Sequence, residues 1–254
     1  MKDFVNINFS EELIEQIVNS LDTEGYYCSE AALRLDTIKE FEIEIHRLLD
    51  LHGHRYFSLI NLAKDNKSPF HILEKSRNFQ SIKREIIKRK LPSYGEDKEN
   101  FNILRVVTGK GTEGQSLKFH FDSRILTAIV PIIIPDAEDH NSGHWVGIPN
   151  FRKLRSSSVF NILEKFLVQN SLSKKLIPSF VLSHKKKRVL KFIPGNIYFF
   201  WGYRALHANL LMDKNFLRAA FLFFYGDPHP NSKLLELVKS IRHHREKIHS
   251  EGNG

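Results

Sequence analysis

The stretch KFHFDSRILTAIVPIIIP, residues 118–135, reads as a strand that is almost wholly apolar after Thr127, and it begins with His120 and Asp122 two residues apart. Residues i and i+2 of a strand face the same side, so an imidazole and a carboxylate can converge on one point. A charged carboxylate inside a β-structure is costly unless a cation compensates it, and a divalent metal does so directly. Alone, the H-x-D spacing is weak, because a surface strand end shows it as readily as a metal site.

A third ligand strengthens the metal reading. His207 follows 207 − 120 = 87 residues later, after the aromatic run NIYFFW and the turn-like Gly202, in WGYRALHAN. Two histidines and one carboxylate form the facial triad of non-haem iron, which leaves coordination positions open. Zinc hydrolases can share that set, so the ligands alone do not choose the metal. Arg218 stands 218 − 207 = 11 residues further on, at the head of the apolar strand RAAFLFFY. A lone guanidinium there wants a carboxylate. It can hold the far end of a dicarboxylate whose near end chelates the metal, or it can pair with Asp213.

Around these residues the texture is that of a β-protein. ILRVV (103–107), LKFHF (117–121), RILTAIVPIII (124–134), HWVGI (144–148), VLKFI (189–193), NIYFFW (196–201) and LRAAFLFFY (217–225) are short β-like runs broken by Gly, Pro, Asn or Asp. They predict two packed sheets or a barrel. Residues 1–100 read as a mostly helical scaffold. Ser10 caps a first helix to about Asn19, Thr37 and Glu40 form a capping box for a second helix ending at His52-Gly53, and a basic helix covers Ile82 to Lys90. An insertion at about 156–188 carries the helical stripe Val159, Ile162, Leu163, Phe166, Leu167 and the charge run Ser183 to Arg188. A C-terminal helix and basic tail fill 227–254. The expectation is one domain over 1–254, with the barrel at 101–226.

Composition narrows the partners. Lys and Arg number 38 against 29 Asp and Glu, a formal net charge of +9, which favours anionic ligands. The single cysteine, Cys28, excludes an intramolecular disulfide and points to a reducing, cytoplasmic setting. The longest apolar run, Ile125 to Ile134, is too short to span a bilayer, which leaves only peripheral membrane contact open.

His120-x-Asp122, then His207, then Arg218 resembles the signature of the Fe(II)/2-oxoglutarate-dependent dioxygenases, whose fold is a double-stranded β-helix, a jelly-roll or cupin-like barrel. Within that superfamily the layout is similar to the phytanoyl-CoA dioxygenase-like branch. Glu24-Gly25-Tyr26 matches its "dGy" step, Asn141-Ser142-Gly143 through Ile148-Pro149-Asn150 its "nGpl…iPGSH" strand, and Pro194-Gly195-Asn196 its "pGd" turn. There are departures. The usual R-x-S is Arg218-Ala219-Ala220, and Asn150-Phe151-Arg152 replaces the small residues of GSH. Asp122 argues against the halogenases. Phe224 stands where the nucleic-acid demethylases carry a second arginine, so nucleic acid is an unfavoured partner. Arg218 likewise argues against the jumonji type, which uses a lysine from another strand.

The resemblance implies a mainly β fold with flanking helices and a hydroxylase that uses Fe(II), 2-oxoglutarate and O2, releasing succinate and CO2. His120, Asp122 and His207 would hold iron, and Arg218 the far carboxylate of 2-oxoglutarate. Arg105, Thr127 and Asn102 are candidates for the near carboxylate, and Trp201, Tyr203 and Arg152 for the substrate pocket. The substrate is expected to be small or carrier-linked, with the basic groups at Arg152 to Arg155 and Lys185 to Arg188 suited to an anionic group. Two other readings use the same residues. One is a non-catalytic cupin-like module binding an anionic ligand, and the other is a zinc hydrolase. The oligomeric state is left open.

Overall fold

The computed structural model describes residues 6–7, 10–90, 101–137, 141–154 and 171–228. The helical stripe expected at 159–167 and the C-terminal helix expected after 227 lie outside these residues, apart from 227–228.

Among the described residues nine strands form two antiparallel sheets. The larger contains β1 (Tyr26–Ser29), β2 (Phe57–Ile60), β3 (Phe101–Val107), β4 (Leu126–Ile133), β7 (Ile197–Phe200) and β9 (Arg218–Tyr225), in the order β1-β7-β4-β9-β3-β2. The smaller contains β5 (Trp145–Ile148), β6 (Arg188–Leu190) and β8 (Leu206–Asn209), in the order β6-β5-β8. Side chains from both sheets, among them Ile129, Tyr198, Phe200 and Ala220 from the larger and Trp145 and Leu190 from the smaller, share one buried cluster between the sheets.

Helices cover the opposite face of the large sheet. They are α1 (Glu11–Thr23), α2 (Leu35–His52), α3 (His71–Lys75) and α4 (Arg77–Lys90), while α5 (Ser171–Ser183) lies between β5 and β6 in the chain. Strand alternation supplies the outward apolar set. Phe221 and Phe223 of β9 and Phe199 of β7 face the helices, where Phe70 packs between Phe41 and Phe221, and Phe79 meets Phe223 edge-on at 5.4 Å. All six rings are buried, and each contributes about 1.5–3 kcal/mol by leaving water.

Several sequence expectations shift. Ser10 caps α1 by accepting from Leu13 N at 3.1 Å, but the helix runs on to Thr23. Helix α2 starts at Leu35, before the expected capping box, because Asp36 accepts from Thr37 N at 2.8 Å and Thr37 is buried in the first turn. The run LKFHF is not a regular strand. Leu117 has φ 54°, which breaks the extended chain, and pairing with β8 is reduced to an isolated bridge between His120 and His207 and a Leu117 N to Asn209 O hydrogen bond of 2.8 Å. The short β1, β2 and β8 were not separated as strands in the sequence. Pro131 is tolerated inside β4 because β7 pairs only with Thr127 to Ile129, and a register shift follows between Pro131 and Ile133. Among the described residues no helix is long and apolar enough to cross a membrane.

Candidate metal centre

His120 and His207 are brought together by the backbone itself. Each amide donates to the other's carbonyl, His120 N to His207 O at 2.9 Å and His207 N to His120 O at 3.0 Å. Their rings then lie 4.5 Å apart, centroid to centroid. Asp122 N donates to Gly202 O at 3.0 Å, which ties the carboxylate to the turn leading into His207. The three side chains offer ligand atoms that all lie within 4.8 Å of one another. Asp122 Oδ1 is 3.6 Å from His120 Nε2, and Oδ2 is 3.6 Å from His207 Nε2.

The other ring nitrogens are already committed. His120 Nδ1 lies 2.8 Å from Lys118 O, and His207 Nδ1 lies 3.0 Å from Ala205 O. A carbonyl only accepts, so each Nδ1 carries the proton and each Nε2 presents its lone pair to the centre. Burial lowers the His207 pKa to about 4 despite the nearby Asp122, so the imidazole is neutral near pH 7. Burial alone would raise the Asp122 carboxyl. His207, His120 and the Thr127 hydroxyl outweigh that effect and hold it well below the usual carboxylate range. Nε2 lone pairs from two imidazoles and one carboxylate are what a divalent metal requires.

Two glycines make this approach possible. A Cβ at Gly202 would lie 2.2 Å from Thr127 Oγ1 and 2.4 Å from Asp122 Oδ2. One at Gly147, the cross-strand partner of His207, would lie 2.6 Å from Leu206 O and 2.8 Å from His207 Cβ. Trp145 stacks on the His207 ring at 5.7 Å and Phe200 meets it edge-on at 5.0 Å, so an apolar wall shields that ligand. His120 is the open side, with 37% of its side chain exposed. Trp145, Gly147 and Phe200 were not singled out from the sequence. Their signal was the two-residue alternation of HWVGI, which puts Trp145 and Gly147 on the face that His207 joins.

The remaining candidates separate. Arg218 is 4% exposed; one of its Nη atoms donates to Gly143 O, and its Nε is buried without a partner. Asp213 is not its counter-ion, since that carboxylate caps Asn215 N at 2.8 Å. Burial, then the adjacent Arg105, push the Arg218 pKa down to about 9, which still leaves it charged at neutral pH. Thr127 points inward, but its hydroxyl donates to Asp122 Oδ2 at 2.6 Å. Asn102 faces the helices instead. Its cross-strand partner is Phe223, its Oδ1 accepts from Ala63 N at 3.1 Å and its Nδ2 donates to Glu74 at 3.1 Å, so strand parity takes it away from the centre. Trp201 also packs outward, with Nε1 donating to Asp22 Oδ1 of α1 at 3.0 Å. Tyr203 and Arg152 do meet. The Arg152 guanidinium lies 4.0 Å from the Phe121 ring centroid and 4.2 Å from that of Tyr203. Phe121 stands between His120 and Asp122 in the chain, so this sandwich borders the triad.

The facing sheets, the outer helices and the His/Asp/His centre together define a double-stranded β-helix, mainly β with flanking helices. No family model matches the sequence, and no curated protein does. Solved structures match by shape. A prolyl hydroxylase from Trichoplax adhaerens, in complex with a hypoxia inducible factor peptide fragment, aligns with TM-score 0.57 at 14% identity, over 88% of this chain and 94% of that one. The non-haem alpha-ketoglutarate-dependent epimerase SnoN of nogalamycin biosynthesis aligns with TM-score 0.56 at 12% identity, over 86% and 84%. A Pseudomonas putida prolyl-4-hydroxylase aligns with TM-score 0.52 at 12% identity, over 87% and 98%. At these identities the likeness is one of fold.

Proposed function

We propose that the chain is a non-haem Fe(II)- and 2-oxoglutarate-dependent oxygenase, with His120, Asp122 and His207 holding the metal and Arg218 holding the far carboxylate of 2-oxoglutarate. The observation that carries this reading is the pairing of the triad, Nε2 lone pairs turned to one point, with a buried charged guanidinium whose Nε has no partner. The solved structures of like fold include enzymes that depend on alpha-ketoglutarate, which supports the same choice over a zinc hydrolase. Iron with 2-oxoglutarate would supply oxygen activation, with succinate and CO2 released as the substrate is oxidised, hydroxylation being the expected outcome.

The protein's own part is placement and shielding. The carbonyls of Lys118 and Ala205 fix the tautomers, Thr127 orients Asp122, and Trp145 with Phe200 keeps water from the His207 side. The substrate would approach past the exposed face of His120, with Tyr203 and Arg152 bordering its path. A small or carrier-linked substrate with an anionic group suits the positive charge there. The phytanoyl-CoA dioxygenase-like branch, the single domain over 1–254 and the cytoplasmic setting belong to this proposal and rest on the sequence motifs, the strand order and the lone Cys28.

The test is spectroscopic. Anaerobic protein with Fe(II) and 2-oxoglutarate should show the weak visible charge-transfer band of the chelate, and His207→Ala should abolish it. A wild-type protein that binds Fe(II) but never develops the band would overturn the assignment. Screening succinate release against a metabolite library then addresses the substrate.

A further inference from the structure

The net positive charge of the chain comes from the stretches that carry the small sheet. Residues 141–154 and 171–212 hold ten Lys and Arg and no Asp or Glu, whereas the rest of the chain balances at 38 − 10 = 28 against 29. Strand alternation turns Val146 and Ile148 of β5 away from the cluster between the sheets, and helix α5 covers them there with Val181, which is fully buried.

The outer side of α5 is not covered. Leu176, next to the inward Ile177, is 61% exposed, and Phe180, next to Val181, is 47% exposed. The two stand at i and i+4, so they form one stripe along the helix. The stripe continues on the loop after β5. Phe180 meets Phe151, itself 44% exposed, at 6.3 Å between ring centroids, and Phe151 meets Phe121 at 6.2 Å. Phe121 follows His120, the open ligand of the triad, so an apolar strip runs from the mouth of the centre across α5. Lysines edge it. Lys153 and Lys175 stand close to Phe151 and Leu176 in the chain, and Lys185 and Lys186 follow His184, whose ring meets Phe180 at 5.4 Å. All four are exposed, and among the described residues none has a carboxylate within ion-pair distance.

Uncovered apolar side chains edged by unpaired ammoniums are complementary to a surface that is anionic on top and apolar beneath. Nucleic acid is matched less well, because Leu176 has no π-face for a base to stack on and these cations are lysines, not forked arginines. We propose that α5 and the Phe151 loop form a peripheral docking surface for an anionic phospholipid bilayer. Leu176, Phe180 and Phe151 enter the headgroup boundary, and the lysines meet the headgroup charge. Docked in this way, the protein holds the His120 side of the centre next to the membrane. The docking does not rest on the oxygenase reading.

Vesicle binding tests this on the whole chain. Sedimentation with phosphatidylcholine vesicles, with and without phosphatidylserine, should show binding that needs the anionic lipid and falls as salt is raised. At about fivefold per lysine near the surface, Lys185→Ala combined with Lys186→Ala should weaken binding roughly 25-fold. Leu176→Ala combined with Phe180→Ala, both at exposed positions, should weaken it roughly tenfold or more. Lys39→Ala combined with Lys67→Ala makes the same change in net charge on exposed lysines of the helical layer and should leave binding unchanged. The emission of Phe180→Trp should shift to the blue on anionic vesicles, against the background of Trp145 and Trp201, which are both buried. If the wild type binds no anionic vesicle, or if the Lys39 and Lys67 pair matters as much as the Lys185 and Lys186 pair, α5 is not a docking surface. Binding that ignores the Leu176 and Phe180 changes and gives no blue shift overturns the insertion. Binding of a single-stranded oligonucleotide in place of vesicles, through the same lysines, would make the partner nucleic acid and sink the proposal.

Discussion

Replacing Thr127 by Val separates two roles for one hydroxyl. The sequence offered Thr127 as a contact for the near carboxylate of the cosubstrate, whereas the structure spends its proton on Asp122 Oδ2 at 2.6 Å. Valine keeps the β-branched shape of this fully buried residue and removes only the donor. A hydrogen bond to a charged group contributes about 1.5–3 kcal/mol, and at 1.4 kcal/mol per factor of ten its loss corresponds to about 10- to 150-fold. That agrees with the 10- to 100-fold fall in metal affinity, roughly, that follows loss of a partner to a ligand. Thr127→Val should therefore weaken Mn(II) binding by one to two orders of magnitude, read by titration of the free metal signal in electron paramagnetic resonance. At saturating metal, 2-oxoglutarate affinity should be unchanged. The reverse outcome, intact metal binding with weakened 2-oxoglutarate, would show that the hydroxyl turns to the cosubstrate and that Asp122 does not depend on it.

Two further outcomes concern the helix-facing side. Asn102→Ala should lower stability by about 1–3 kcal/mol in a denaturant titration, because it strips partners from Ala63 N and Glu74, yet leave metal and 2-oxoglutarate affinity untouched. Lys83 is wholly buried beneath the rings of Phe79, Phe223 and Tyr225, and burial lowers its pKa from 10.5 to about 7. Between those values the unfolded chain holds a proton that the folded chain lacks, so stability should rise with pH, by at most about 3 kcal/mol from pH 7 to 9.5 and less if the ring faces favour the charged form. Lys83→Met should flatten that dependence in melts across the same range. Wild-type and variant curves that stay parallel would mean Lys83 does not titrate there.

How much of this was legible in the sequence depended on what kind of interaction each feature rests on. The four polar residues of the centre could be found because each interrupts an apolar run, where a charge needs a reason. The inner and outer faces of β3 could not be told apart in the same way. In FNILRVV both Asn102 and Arg105 break the pattern, and only the register with β9, Asn102 opposite Phe223 and Arg105 opposite Ala220, decides which one faces the helices. Strand β2, which completes that edge of the sheet, was missed because FSLI is both short and without a clean two-residue alternation. Trp201 misled for a related reason. Its closeness to His207 in the chain suggested a shared pocket, but Asp22 of α1 draws the indole to the outer layer, a partner 179 residues away.

The same register argument explains why the centre tolerates so much buried charge. Asp122 is balanced by whatever cation the two Nε2 atoms also bind, so its position is self-consistent once the metal is present. Arg105 and Arg218 have no such internal answer among the described residues, and Coulomb repulsion between them acts against the fold. Their cost should therefore appear as ligand-dependent stability. With metal saturating in both samples, 2-oxoglutarate should raise the melting temperature of the wild type far more than 2-oxobutyrate does, and Arg218→Ala should remove most of that difference. If the two acids stabilise the wild type equally, the far guanidinium does not hold a carboxylate and its burial needs another explanation.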